Sequence, residues 1–219
     1  MKDTLISDSI SELRVSYHLD ALHEDKMHPD PIKQFEEWFA VVLKSSAIEP
    51  NAMALATADA SGKPSLRMVL LKGVSSNGFE FYSNYNSRKG LELDQNPQAA
   101  LLFYWDFLER QVRIEGMVEK LAPHQSDAYF QSRPRGHQLG SLASEQSRVV
   151  PHYSYLEKRF EQMSKEYLEK KIDRPAFWGG YRLKPQVIEF WQGRPNRLHD
   201  RLRYRLQENG SWLMERLAP

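Results

Sequence analysis

The residues best placed to do chemistry cluster near the C-terminus, in the run IEFWQGRPNRLHDRLRYR that starts at Ile188. Side chains two apart share one face of an extended strand. Read that way, Arg197, His199, Arg201, Arg203 and Arg205 line one side, with Leu198, Leu202, Tyr204 and Leu206 on the other. Upstream, Ile188 and Phe190 oppose Glu189 and Trp191, and Gly193 and Pro195 break the run with a turn. Neighbouring cations in such a row stand roughly 7 Å apart, so they repel unless water or an anion lies between them. Two readings follow. The row is the solvated outer face of an edge strand, where charge discourages edge-to-edge aggregation, or it is a wall for an anionic ligand beside a Trp191 platform.

Further basic residues stand next to turns. Arg67 and Lys72 flank RMVLLK with opposite parity, so they serve one site only through a bulge or at a strand end. Arg88 and Lys89 begin a short helix after NYNS, where backbone donors and the helix dipole suit a phosphate. Arg133 and Arg135 follow Tyr129 in QSRPRGHQ, and Gln146 with Ser147 sits in SEQSR. Taken singly, each also reads as a solvated surface residue. Their clustering at element ends is what suggests binding, because binding groups favour loops on a rigid scaffold.

Other chemistries find no support. The chain has no Walker lysine loop, no G-x-G-x-x-G and no G-x-S-x-G. Cys is absent, which removes disulfides, thiolate nucleophiles and zinc–thiolate sites. His23 and His28 are five apart rather than the four that place two rings on one helix face, so no metal is expected. A net charge of +1 gives no global field for nucleic acid or an acidic membrane, so anion chemistry must be local. The N-terminus lacks the apolar core of a signal peptide, and no window approaches a membrane span. The expectation is a cytoplasmic protein without membrane or nucleic-acid partners.

The elements that position these residues read mainly as short antiparallel strands. With 219 residues, 41% hydrophobic and 27% charged, the chain suits one globular domain. Residues 1–30 look like a mobile arm with a short helix over 9–18. The single domain spans 31–219. Asp30-Pro31 opens a helix to about residue 46, with Ile32, Phe35, Phe39, Val42 and Leu43 as its buried stripe. Strands follow over 52–59, 65–74 and 79–83, then a helix over 87–94 and strands over 99–105 and 110–121. In the last, Val112, Ile114 and Val118 alternate with Gln111, Arg113 and Glu115. Helices come next over 123–130, 138–143 and 153–171. Strands return over 178–183, 187–191, 198–207 and 212–217. The fold class is mainly β with helices (α+β), an antiparallel closed or nearly closed barrel.

These residues also carry a resemblance. IEFWQGRPNRLHDR closely resembles the signature of the pyridoxine/pyridoxamine 5′-phosphate oxidase family. RMVLLK, FYSNYNSRKG, LERQV, YFQSRPRGHQLG, SEQS, FWGG and the terminal RLAP resemble its other blocks, in order, from about residue 14 to 219. The resemblance implies an FMN-binding split β-barrel homodimer with FMN at the subunit interface. Carried over by motif, Arg67, Met68, Val69, Leu70, Leu71, Lys72, Tyr82, Ser83, Arg88, Lys89, Gln111, Gln146, Ser147, Trp191 and Arg201 would contact FMN. Lys72, Tyr129 and Arg133 would hold a substrate phosphate. Arg197 and His199, the catalytic candidates, would lie against the substrate ring, and Arg14 and Tyr17 would close over it.

The activity implied is oxidation of pyridoxamine or pyridoxine 5′-phosphate to pyridoxal 5′-phosphate by oxygen, with hydrogen peroxide released, and ammonia from the amine. The cofactor carries such chemistry while the protein orients it. Two phosphates, one on each ligand, account for a basic wall in a protein of net charge +1. One position departs: His137 stands where the family usually has Ser, and a His there would add a titratable donor to the substrate phosphate. The competing readings are a related split-barrel flavin reductase and a non-catalytic carrier of pyridoxal phosphate.

Overall fold

Pro31 at the first helical position and Asp30 as cap start helix α1, Pro31–Leu43, with Asp30 Oδ1 accepting from Ile32 N at 2.8 Å. The computed structural model describes residues 13–219. The helix expected over 9–18 does not form over 13–18, which carry no regular secondary structure; residues 9–12 lie outside the described residues. Within the expected arm, Leu22 is buried in the main core. Nor does α1 reach residue 46. Leu43 falls outside the buried stripe at 59% exposed, and Trp38 takes a place in it.

After α1 the chain forms β1 (Ala52–Ala58), β2 (Pro64–Leu70), β3 (Gly73–Ser75) and β4 (Gly78–Asn84). The expected strand over 65–74 is two strands. β2 pairs β1, and the chain then leaves that ladder so that β3 pairs β4. Helix α2 (Arg88–Gln95) leads into β5 (Gln98–Trp105) and β6 (Arg110–Lys120). Helices α3 (Pro123–Ser132), α4 (Arg135–Ala143) and α5 (Tyr153–Glu166) form the insert. The expected long helix to residue 171 thus stops early, and Leu168 is 74% exposed. Of its apolar stripe, Met163 and Tyr167 reach the smaller core around Phe130 and Trp178.

The chain closes with β7 (Trp178–Gln192), β8 (Asp200–Leu206) and β9 (Trp212–Arg216). β7 replaces the two strands expected over 178–183 and 187–191. Its register against β6 shifts between Glu115 and Gly116, where Pro185 and Gln186 pass. Proline cannot donate to the ladder, and a bulge absorbs that loss without ending the strand. One long strand therefore pairs β4 with its first half and β8 with its second.

All pairings are antiparallel, in the order β2-β1-β5-β6-β7-β4-β3, with β8 and β9 continuing from β7. The sheet curls around α1 without joining β2 to β3, so a single chain makes an open half-barrel. Phe35 plugs it, edge-on to Phe79 at 4.9 Å and tilted on Phe103 at 5.0 Å. Removing that ring should cost about 3–5 kcal/mol. Among the described residues, no helix is long and apolar enough to cross a membrane.

Candidate functional site

A cavity of about 920 Å³ opens between β2, β4, α2, α3 and α4. Arg67, Met68, Val69, Leu70, Lys72, Tyr82, Ser83, Arg88, Lys89, Tyr129, Arg133, His137, Gln146 and Ser147 all line it. The parity problem between Arg67 and Lys72 is resolved by the strand end, since β2 stops at Leu70 and Lys72 lies beyond it. Leu71 departs from the expected block: its side chain is buried in the core.

One end of the cavity is a cation cluster at the start of α2. Ser87 caps the helix, its Oγ accepting from Gly90 N at 3.4 Å. Gly90 is required, because a Cβ there would stand 2.0 Å from the Tyr85 carbonyl oxygen. Lys89 is buried, and its Nζ donates to Ser83 Oγ at 3.0 Å and Ser87 Oγ at 3.2 Å. Burial, then the nearby Arg67 charge, push its pKa down to about 8. Arg67 donates to Leu55 O at 3.0 Å and to Thr57 Oγ1 at 2.5 Å, and also to Ser65 Oγ. Beneath these sits Glu92, buried, taking Arg67 at 3.3 Å and Arg88 at 2.8 Å. Burial alone would raise its pKa, but hydrogen bonds from Ser65, Thr57 and Arg88, with the Arg67 charge, hold it at about 2. Ser147, at φ 73°, is strained.

The other end is aromatic. Tyr82 stacks on Tyr129 with centroids 3.9 Å apart, and Trp178 extends the stack at 5.6 Å from Tyr82. Burial pushes the Tyr82 hydroxyl up to about pKa 12. Arg133 lies over Trp178 at 4.6 Å and donates to Ser141 Oγ at 2.8 Å. Lys72 and His137 are exposed on the rim.

A second group of expected site residues does not line this cavity. Gln111, Trp191 and Arg201 lie in lateral register across β6, β7 and β8, on the sheet face opposite the core, and Tyr104 of β5, not among the expected residues, continues the row. Arg201 grips Glu189 with two bonds, at 2.7 and 3.2 Å, and donates to Ala218 O at 2.9 Å. Glu189 also takes Arg113 at 2.7 Å.

The single cationic row is corrected here. β8 begins only at Asp200, and Arg197 sits in a turn before it with φ 62°, after Asn196 at φ 56°. Leu198, expected on the apolar side, is 69% exposed. Arg203 and Arg205 share Glu215, at 2.9 and 3.0 Å. His199 packs 4.7 Å from Trp191, and its Nδ1 accepts from Arg194 N at 3.1 Å. That contact assigns a neutral ring with its proton on Nε2. Burial, then Arg197, lower the His199 pKa, which favours the same neutral form.

Tyr17 closes over this group, 5.8 Å from Trp191 and 5.7 Å from His199. Glu109 anchors the arm by accepting from His18 N at 2.9 Å and Leu19 N at 3.0 Å. Gly193 leaves room, since a Cβ there would meet the Tyr17 ring at 2.6 Å. Arg14 is exposed further along the arm.

Sequence reasoning passed over Glu92, Glu189, Glu109 and Ser141. The i,i+4 spacing of Arg88 and Glu92 was a usable signal. The cross-strand pairing of Glu189 was not, because it depends on register.

Comparison with known proteins gives a consistent result. The chain matches the family model for pyridoxamine 5′-phosphate oxidase over residues 37–167, and that for the pyridoxine 5′-phosphate oxidase C-terminal dimerisation region over 178–219. It is 53% identical over 210 residues to the pyridoxine/pyridoxamine 5′-phosphate oxidase of Cupriavidus taiwanensis, covering 96% of this chain and 99% of that one. The protein of the same name from Gloeothece citriformis is 51% identical over 214 residues, with 98% and 100% covered. PhzG from Burkholderia lata, solved with tetrahydrophenazine-1-carboxylic acid, superposes with a TM-score of 0.86 at 32% identity, over 92% of this chain and 99% of that one. A pyridoxamine 5′-phosphate oxidase-related, FMN-binding protein from Nostoc punctiforme shares the fold, with a TM-score of 0.70 at 18% identity over 88% and 100% of the two chains. The half-barrel thus has the split-barrel fold of these proteins, and the dimerisation region points to a homodimer.

Proposed function

Because the chain belongs to the pyridoxamine 5′-phosphate oxidase family, we propose that it oxidises pyridoxamine and pyridoxine 5′-phosphate to pyridoxal 5′-phosphate with FMN and oxygen, in vitamin B6 metabolism. The net reaction on the amine takes up one oxygen and one water and releases hydrogen peroxide and ammonia. One observation carries this reading: Arg67, Lys72, Arg88, Lys89 and Arg133 converge on one cavity, and the carboxylate of Glu92 pairs with only two of them, Arg67 and Arg88. Two separate polar networks, one around Glu92 and one around Arg133, suit two phosphates.

The residues fit FMN. Its phosphate needs charge-assisted donors, and Arg67, Arg88 and Lys89 supply them beside the first turn of α2. Bound FMN would supply the hydride acceptor and its own reoxidation by oxygen. The chain's residues bind and orient. Arg133, Lys72 and Tyr129 hold the substrate phosphate, with His137 on the rim as a further donor. Arg197 and His199 meet the substrate ring. His199, with Nδ1 already engaged, presents an N–H and so acts as a donor rather than a base. Tyr17 covers the site and excludes water.

Gln111, Trp191, Arg197, His199 and Arg201 lie outside the cavity of their own chain. We infer that each complete site joins the cavity of one protomer to the rim of its partner, with FMN at the interface. Exposed Leu66 and Met68 on edge strand β2, at 69% and 64%, support a partner surface there. The test is direct. Purified protein should show a flavin absorption spectrum and form peroxide when given pyridoxamine 5′-phosphate. A colourless protein that binds pyridoxal phosphate without turnover would favour the carrier reading instead.

A further inference from the structure

Glu92 sits where a carboxylate is least expected, inside the cation cluster of an anion site. It is 5% exposed, and it accepts four donors. Thr57 Oγ1 and Ser65 Oγ reach Oε2 at 2.5 Å each, Arg67 Nη2 reaches the same oxygen at 3.3 Å, and Arg88 Nε reaches Oε1 at 2.8 Å. A carboxylate beside a phosphate site repels the ligand, so its presence must be repaid by what it arranges.

Arg88 shows what that is. Its side chain is 56% exposed, and among the described residues Glu92 is its ion-pair partner. Without that contact a long, solvated guanidinium is free to sample many rotamers. Arg67 is held by Leu55, Thr57 and Ser65 as well, and Thr57 and Ser65 are themselves fixed by Glu92. Both guanidinium groups are therefore aimed through one carboxylate. Charge matches too. Arg67, Arg88 and Lys89 against Glu92 leave an excess of two positive charges, the complement of a phosphate monoester dianion.

We propose that Glu92 is a positioning residue for the FMN phosphate, holding Arg67 and Arg88 in their binding orientation before the ligand arrives. This rests on the reading of the cavity as the FMN site. The simpler role, a staple that fastens α2 to β1 and β2, would act on every ligand of the cavity alike. Positioning acts only on the phosphate.

The experiment compares FMN with riboflavin, which lacks the phosphate. Protein freed of bound flavin is titrated with each, following flavin fluorescence, for wild type and Glu92→Gln. Gln keeps the shape but cannot accept from two arginines and two hydroxyls. FMN should bind about tenfold or more weakly, while riboflavin changes by less than about twofold. Equal weakening of both ligands, or FMN affinity unchanged or improved, overturns the proposal. If Glu92→Gln does not fold, Glu92→Asp, which keeps the charge but withdraws it by one methylene, is read by the same ratio and the same criterion. Wild-type protein that binds FMN no better than riboflavin would overturn the cofactor reading itself, a failure distinct from a wild type that discriminates and a variant that discriminates equally.

Discussion

The cavity and the outer row of β6, β7 and β8 are both rich in arginine, yet they settle charge in opposite ways. In the row, Glu189 takes Arg113 and Arg201, and Glu215 takes Arg203 and Arg205. In the cavity, Glu92 takes Arg67 and Arg88, while Lys72, Lys89 and Arg133 have no carboxylate partner among the described residues. A buried cation without a counter-ion costs stability. Lys89 bears that cost, as its lowered pKa records. The lesson is that counting cations does not find a binding site. Burial without internal neutralisation does, because there the anion must come from outside.

Substitutions should separate the two regions. The largest effect is expected from Lys89→Met. FMN affinity should fall about a hundredfold, while the urea midpoint of the flavin-free protein holds or rises, since a desolvated charge is gone. A matching loss of stability would erase the contrast. Next comes Glu189→Gln, which takes the carboxylate partner from Arg201 and leaves Arg113 with Glu115 alone. Discounted for the exposure of both arginines, the cost should be about 1–2 kcal/mol of unfolding free energy, read from urea curves of the flavin-free protein.

A smaller effect follows from pH. Lys89 is charged below its pKa of about 8 and loses its proton above it. Phosphate binding favours the ammonium, so FMN affinity should be level below pH 8 and decline above it, approaching tenfold per pH unit. Titrations from pH 7.5 to 9.5 check this, and Lys89→Met should flatten the slope. The smallest effect belongs to Arg205→Ala. Its side chain is 44% exposed on the sheet margin, so neither FMN affinity nor the urea midpoint should move.

Much of this contrast could be read from residue order. Asp30-Pro31 announced α1, and period-2 alternation placed Glu189 and Trp191 on one face and Val112 and Ile114 on the other. The motif blocks named nearly every residue lining the cavity. What remained hidden was tertiary. Strand parity continued the row back through Arg197, but the chain there turns with Asn196 and Arg197 at positive φ, a conformation that local pattern does not announce. Periodicity cannot tell that Lys89 is buried while its neighbour Arg88 is exposed. The charge partners Glu189 and Glu215 are fixed by register across strands, which no single-strand pattern contains.

The central claim is that the cavity of one protomer and the rim of the other form one site. Co-expression tests it. One chain carries Arg67→Ala with Lys89→Met, disabling the cavity, and the other carries Arg197→Ala with His199→Ala, disabling the rim. Random pairing into a two-fold dimer gives half mixed dimers, each with one intact composite site, so activity should recover to about a quarter of wild type. A mixture no more active than the two variants purified separately would contradict the account.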